Sequence, residues 1–132
     1  KGYHTAEPYN RLARAVKANR ESLLSLLRSL KQGGKTIAAY GAPAKGNTLL
    51  NYCGIDTGLV DYVVDKNPLK VGLYTPGTHI PVKPVSALAQ DPPDYLMILP
   101  WNIADEIQSK MSAVREWGGR FVVPIPTVRV LD

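Results

Sequence analysis

In Y-G-A-P-A-K-G-N-T, residues 40–48, Gly41 and Gly46 bracket a short turn, and a helical pattern follows. A tight glycine turn that opens a helix is suited to holding an anion. The backbone N–H groups of Ala44, Lys45 and Gly46 are first-turn donors with no intrahelical acceptor. The helix dipole adds partial positive charge at that end, and Lys45 supplies a cation at the rim. The spacing is one residue away from the Walker phosphate loop, G-x-x-x-x-G-K-[ST], because Asn47 stands at the lysine position. Asn47 cannot bring that lysine's charge to β- and γ-phosphates, so nucleoside-triphosphate hydrolysis is a poor fit. The dinucleotide pattern G-x-G-x-x-G fails at Pro43, where it needs glycine. Asp65 nevertheless stands where a ribose-binding acid is expected, at the end of the second strand. The residues point to a diphosphate-bearing ligand without implying nicotinamide chemistry. The same turn admits a plainer reading, a helix N-terminus packed tightly on a sheet with no ligand.

Other residue types that could do chemistry fall in two connections. K-N-P-L-K-V-G-L-Y-T-P-G-T-H, residues 66–79, is longer than the roughly 2–6 residues usual between α/β elements, and long connections are often functional. It carries Lys66, Lys70, Tyr74 and His79. His79 is by type a proton-transfer residue, although a single loop histidine with no carboxylate partner is more often structural. Trp101 and Asn102 follow a third long apolar run. Asn102 is a natural N-cap for the helix after it, and Trp101 could stack on a base or sugar or bury against another domain. Cys53 is the only cysteine, so no internal disulfide or multi-cysteine zinc site can form. It reads as a small buried hydrophobe rather than a nucleophile.

The elements that must position these residues alternate between short apolar runs and helical patterns. A helix is expected over residues 7–31, about 35 Å long, with Thr5 as N-cap, Pro8 in its first turn, a polar gap at residues 18–20, and Gly33 and Gly34 as its stop. Strands are expected at 36–40, 59–65, 80–82, 95–99 and 120–123, with a last one near 127–130. Helices are expected at 44–52, capped by Gly54, at 84–90 and at 103–116. Nearly all-apolar strands are buried on both faces, which makes a parallel sheet covered on both sides. Right-handed crossovers give an α/β, Rossmann-like sheet of order 3-2-1-4-5, preceded by the long N-terminal helix. Ligands of such sheets bind beyond the carboxyl ends of the strands where the order reverses, and the Gly41 turn belongs there. Residues 1–34 form the helix leading from an upstream domain, and residues 35–132 form the Rossmann-like domain.

The 132 residues carry a formal net charge of +5. The basic residues are dispersed, with no dense run interleaved with aromatics, which argues against nucleic-acid binding. A modest positive field suits an anionic small molecule. No apolar run is long enough to span a bilayer and no signal-peptide pattern is present, so no membrane partner and a cytoplasmic setting are expected. The chain begins at Lys1 rather than Met, as expected of a segment cut from a longer protein.

Read together, Y-G-A-P-A-K-G-N-T-L-L-N-Y-C-G-I, V-D-K-N-P-L-K-V-G-L-Y-T-P-G-T-H-I-P-V, P-D-Y-L-M-I-L-P-W-N and G-G-R-F-V-V-P-I-P-T-V-R-V resemble one family. It is the C-terminal domain of the three-domain S-adenosylmethionine-dependent C-methyltransferases acting on nucleotide-linked deoxysugars. The likeness runs from about Lys35 to the end. It implies an N-terminal zinc domain and a middle S-adenosylmethionine-binding domain, both upstream. It implies a dTDP-linked 4-keto-6-deoxysugar as substrate. A base removes the C3 proton α to the ketone, and the enolate takes the methyl group of S-adenosylmethionine. The active site lies between the middle and C-terminal domains, with a histidine base in the middle domain. This chain has neither the zinc cysteines nor a second glycine turn for S-adenosylmethionine, so alone it would be catalytically incompetent. Its expected share is substrate binding through Gly41, Ala44, Lys45, Gly46, Asn47, Asp65, Tyr74, His79, Trp101 and Asn102. Two other readings stay open on the residues alone: a stand-alone nucleotide or coenzyme A binding module, and a structural docking domain.

Overall fold

The computed structural model describes the backbone of residues 2–41, 43–124 and 128–131, and the side chains of those residues except 2–16, 44 and 45. Helix α1 (Gly2–Gln32) leads to β1 (Ile37–Tyr40), α2 (Ala44–Cys53), β2 (Tyr62–Asp65), β3 (Val82–Pro84), α3 (Ala87–Gln90) and β4 (Tyr95–Ile98). A 3-10 turn (Trp101–Ile103), α4 (Ala104–Lys110), α5 (Ala113–Glu116), β5 (Arg120–Val123) and β6 (Arg129–Leu131) complete the chain. The six strands lie in the order β3-β2-β1-β4-β5-β6. The first five are parallel, as expected, and β6 adds an antiparallel edge to β5.

Alternation along each strand sends neighbouring side chains to opposite faces. Ile37, Ala39, Val63, Met97 and Val122 meet Leu23, Leu24 and Leu27 of α1 and Leu50 and Cys53 of α2. Ala38, Tyr40, Val64, Ile98 and Phe121 meet Leu88 of α3, Ala104 and Ile107 of α4, and Val114 of α5. Cys53 is buried in the first of these layers, the packing role read for it. Burial pushes its thiol above the ordinary value, against a smaller lowering by Arg20.

The polar gap in α1 has a structural purpose. Asn19 donates its side-chain N–H to the Pro124 carbonyl at 2.7 Å and accepts from the Val128 N–H at 3.2 Å. It thereby bridges the backbone on either side of the β5–β6 connection. Arg20 lies over the Tyr52 ring, 5.5 Å from its centroid. The last turn of α1 is tied in by Lys31, whose ammonium pairs with Asp61 at 3.1 Å. The other oxygen of that carboxylate accepts the Ile37 N–H at 3.1 Å. Both charges are partly exposed, so the pair adds little stability and mainly fixes alignment. The glycine stop is as expected, with Gly34 at φ 78 and the Lys35 N–H bonded to the Leu30 carbonyl at 3.0 Å.

Several boundaries differ from the expectation. Helix α1 begins at Gly2, so Thr5 is inside it and does not cap it, and Pro8 is beyond its first turn. Strand β2 starts at Tyr62 because Leu59 and Val60 turn back onto the Asp56 carbonyl and Asp61 is spent on Ile37 and Lys31. The helix expected over 103–116 is broken after Lys110, where Ser112 opens α5. Serine starts helices better than it continues them, because its hydroxyl competes for backbone bonds. Strand β3 is shifted to Val82–Pro84, and Pro81 instead bridges Tyr74 across the preceding loop. Thr127, in the strand read at 127–130, lies outside the described residues, and β6 covers Arg129–Leu131.

Two measurements check this packing. Leu27 is fully buried, and Leu27→Ala should cost about 2–5 kcal/mol in urea denaturation, showing that α1 is part of the fold. The second concerns Tyr62, whose hydroxyl donates to the Asp91 carbonyl at 2.6 Å. Burial first, then Asp91 and Asp61, push this phenol up to about 12. A free tyrosine ionises near 10. The folded state thus holds the proton more tightly, and the stability this contributes is complete below about pH 10 and lost as pH rises through about 12. Urea midpoints should fall across that window, and Tyr62→Phe should flatten the fall.

Candidate functional site

The carboxyl ends of β1, β2 and β4 form the edge on which the candidate residues were expected. Gly41 has φ 79 and gives its N–H to the Val64 carbonyl at 2.7 Å. A β-carbon there would lie 3.1 Å from Cδ of Pro100, so glycine is required both by the turn and by the neighbouring strand end. Gly46 is tighter still, because its β-carbon would lie 2.9 Å from Cβ of Leu99 and 3.2 Å from Cδ of Pro43. The close packing proposed as the plainer reading of this turn is therefore real at Gly46.

Packing does not use up the helix end. Pro43 occupies the N-cap position with φ −70 and ψ 164 and makes no side-chain capping bond. The first intrahelical bond is Asn47 N–H to the Pro43 carbonyl at 2.9 Å, and the N–H groups before it have no acceptor within a regular helix. The side chains of Ala44 and Lys45 lie outside the described residues; their backbone opens the helix.

Asp65 ends β2 as read, but its carboxylate serves its own loop. It accepts the Asn67 N–H at 2.8 Å and faces the Lys70 ammonium at 3.8 Å. Beside it the structure adds a residue that the sequence reading passed over. Lys110, at the end of α4, is near enough to Lys66 to push this exposed lysine below its ordinary value. Two cations from separate elements thus meet next to the end of β2. Tyr40 was also missed. Its ring is 4 % exposed, and its hydroxyl has no hydrogen-bond partner among the described residues. Burial and then Asp65 raise its pKa. It read as one more apolar strand position, and only its place just before Gly41 set it apart.

The loop over residues 66–79 is folded back as a hairpin on β3. Val82 N–H bonds to the Leu73 carbonyl at 2.9 Å, Gly72 N–H to the Val82 carbonyl at 2.9 Å, and Thr75 N–H to the Ile80 carbonyl at 2.9 Å. The buried hydroxyls of Thr75 and Thr78 bond to each other. His79 stacks on Tyr74 with ring centroids 4.3 Å apart and planes 5° apart. No carboxylate is bonded to His79 among the described residues, and its evident role is to back the Tyr74 ring. A cavity of about 170 Å³ lies between this hairpin and the start of α2, lined by Asn47, Lys70, Leu73, Tyr74, Thr75 and Val82 among others.

Trp101 and Asn102 are on the other side of the glycine turn. Trp101 is half-buried against the second core layer, and Asn102 is exposed within the 3-10 turn. Asn102 is not an N-cap: Ile103 flanks α4, with no side-chain capping bond. Both residues line a second depression of about 260 Å³ together with Asp105, Glu106 and Arg129. Of the expected residues, Asn47 and Tyr74 line the first depression and Trp101 and Asn102 the second, with the Gly41 turn running to Pro100 between them.

The chain has relatives that place it. A family model described as the C-methyltransferase C-terminal domain matches residues 1–126. C-methyltransferase NovU of Streptomyces niveus is 39% identical over 124 residues, which is 94% of this chain and 30% of that protein. The chain therefore spans about a third of the length of this curated relative. Among solved structures, the Rex-family repressor RSP matches with a TM-score of 0.49 at 21% identity, over 81% of this chain and 55% of that one, and nothing about function follows from it. On the match across nearly its whole length, this chain belongs to the C-methyltransferase C-terminal domain family.

Proposed function

We propose that this chain is the substrate-binding domain of an S-adenosylmethionine-dependent C-methyltransferase and holds the diphosphate of a nucleotide-linked 4-keto-6-deoxysugar. One observation carries the reading: α2 begins at Pro43, an N-cap residue that makes no side-chain capping bond, just after the Gly41 turn on the carboxyl edge of the sheet. Orphan N–H groups and the helix dipole favour an anion there. Lys66, exposed at the end of β2 with Lys110 near it, adds positive charge at the same edge, which favours an anion there.

The same electrostatics disfavour S-adenosylmethionine as a ligand of this chain. Its sulfonium is a cation, and the helix end and lysine pair repel cations. The one strand-ending acid on this edge, Asp65, is engaged by Asn67 and Lys70. We therefore assign methyl-donor binding, the base that takes the C3 proton, and any zinc to an upstream domain of the same polypeptide. This chain's share is to bind and orient. Anchoring the diphosphate fixes the distance from the phosphates to the sugar carbon that must meet the methyl group, and that positioning can supply a large part of the rate. No helix among the described residues is long and apolar enough to cross a membrane; a cytoplasmic setting is part of the proposal.

Amide-shift titration tests the assignment. dTDP should move the Gly41, Gly46, Asn47 and Trp101 resonances, while S-adenosylmethionine and coenzyme A should not. A preference for either of these comparators would overturn the assignment. Binding of dTDP should also raise the Lys66 pKa, read from its side-chain shifts. Lys110→Ala should raise it in the free protein and weaken dTDP binding with a smaller salt dependence.

A further inference from the structure

We propose that the cavity between α2 and the residue 66–79 hairpin is a base pocket, in which the single ring of a pyrimidine nucleotide stacks on Tyr74. The proposal rests on the reading of this chain as a sugar-nucleotide-binding domain and assigns the part of the ligand that the diphosphate site leaves over.

Size limits the occupant. Pockets for whole drug-sized ligands run to about 300–1,000 Å³, and this one is about 170 Å³. It has room for one ring and not for a nucleotide with its sugar. Charge limits it further. Lys70 is on the wall, but Asp65 stands 3.8 Å from its ammonium, so the local charge is offset and a bare phosphate gains little there. The remaining wall is Val82, Thr75, Leu73 and Tyr74, with the Asn47 amide at the α2 side. A neutral planar group with polar edges fits that combination.

The aromatic wall is held in advance. Tyr74 is 54 % exposed, and one face of its ring is covered by His79. His79 reaches that position with φ 59, a left-handed conformation that carries strain in a residue with a β-carbon. The stack is built by the local fold at a conformational cost, and the ring's second face is left for another partner. The hairpin is also fixed to α2, because the Asn51 amide donates to both the Asn47 and Pro76 carbonyls at 2.9 Å. At Gly77, φ 79, a β-carbon would collide with the Asn51 side chain, so this approach is specified down to one residue.

Position completes the case. Asn47 is three residues into α2 from Ala44, so the cavity opens directly beside the helix end. A nucleotide whose diphosphate lies on that end can turn its base into the cavity, leaving the sugar directed away from it.

Calorimetry and amide shifts on the 132-residue chain, with dTDP, ADP and inorganic pyrophosphate as probes, test the assignment. Base–aromatic stacking predicts that dTDP binds roughly tenfold more tightly than pyrophosphate. It should shift Leu73, Tyr74 and Thr75 amides that pyrophosphate leaves alone, and ADP, with its larger ring system, should gain less. Tyr74→Ala should erase the advantage of dTDP without altering pyrophosphate affinity, and Tyr74→Phe should keep it. His79→Gly separates structure from binding: it relieves the backbone, so the melting temperature should hold, while dTDP affinity falls several-fold. Equal binding of dTDP and pyrophosphate would overturn the base pocket and leave the diphosphate reading standing. Failure of all three probes would overturn both, since both sites are argued from residues of this chain alone.

Discussion

Helix α2 lies so close to the sheet that a β-carbon at Gly46 would come within 2.9 Å of Cβ of Leu99. Much of the functional edge depends on that approach. It places the helix N-terminus directly over the end of β1, and with Gly41 against Pro100 it brings the turns after β1 and β4 together. It also seats Leu50 and Cys53 in the same layer as Leu23 and Leu27 of α1. Moving α2 outward to admit a side chain would open that layer, and packed cores resist even small volume changes. Glycine at position 46 is thus a packing requirement, and the anion binding proposed for the helix end would be a consequence of where packing puts it. The plainer reading of the turn and the functional one are two parts of one arrangement.

The sheet was legible because burial on both faces leaves a strong mark. Four of the parallel strands are short runs that are almost wholly apolar, and the turn chemistry between them, Gly54 above all, is local. Order followed from crossover handedness. What escaped the reading depended on partners distant in sequence. Asp61 looked like an interior strand residue until Lys31 and Ile37 were brought to it. Asn19 and Arg20 looked like a flaw in an amphipathic helix, and Asn19 is what engages the β5–β6 connection. Asn102 had the type of an N-cap, but the chain after Pro100 takes a 3-10 turn first and starts α4 later. Residue type proposes a cap; only the backbone path decides whether the position exists.

The turn and the strand end of the candidate site were legible for the same reason. Gly41, Gly46 and Asp65 are read from sequence because turn geometry and strand ends are local features. Lys110 and Tyr40 were not, since neither belongs to a motif. Lys110 becomes a partner of Lys66 only through the path of α4 across the second face, and Tyr40 differs from its apolar neighbours by one buried hydroxyl. The residue 66–79 connection lies between these cases. Its length marked it as unusual, but its order comes from a ladder onto β3 and a threonine pair that no periodicity announces.

Charge is divided along this edge in a way that a single ligand can explain. The helix end and the Lys66–Lys110 pair are positive, whereas the adjoining cavity is neutral because Asp65 offsets Lys70. A simple anion would use only the first part and an apolar ring only the second. A nucleotide diphosphate presents both, charged at one end and planar and neutral at the other. The loop acid is therefore better placed on Lys70 than on a ribose. In the proposed reading, cancelling that lysine would keep the cavity from competing for phosphate and give the diphosphate one favourable position and the ligand one orientation. Orientation is what this chain would contribute to the proposed methyl transfer, because it would set which sugar carbon faces the donor.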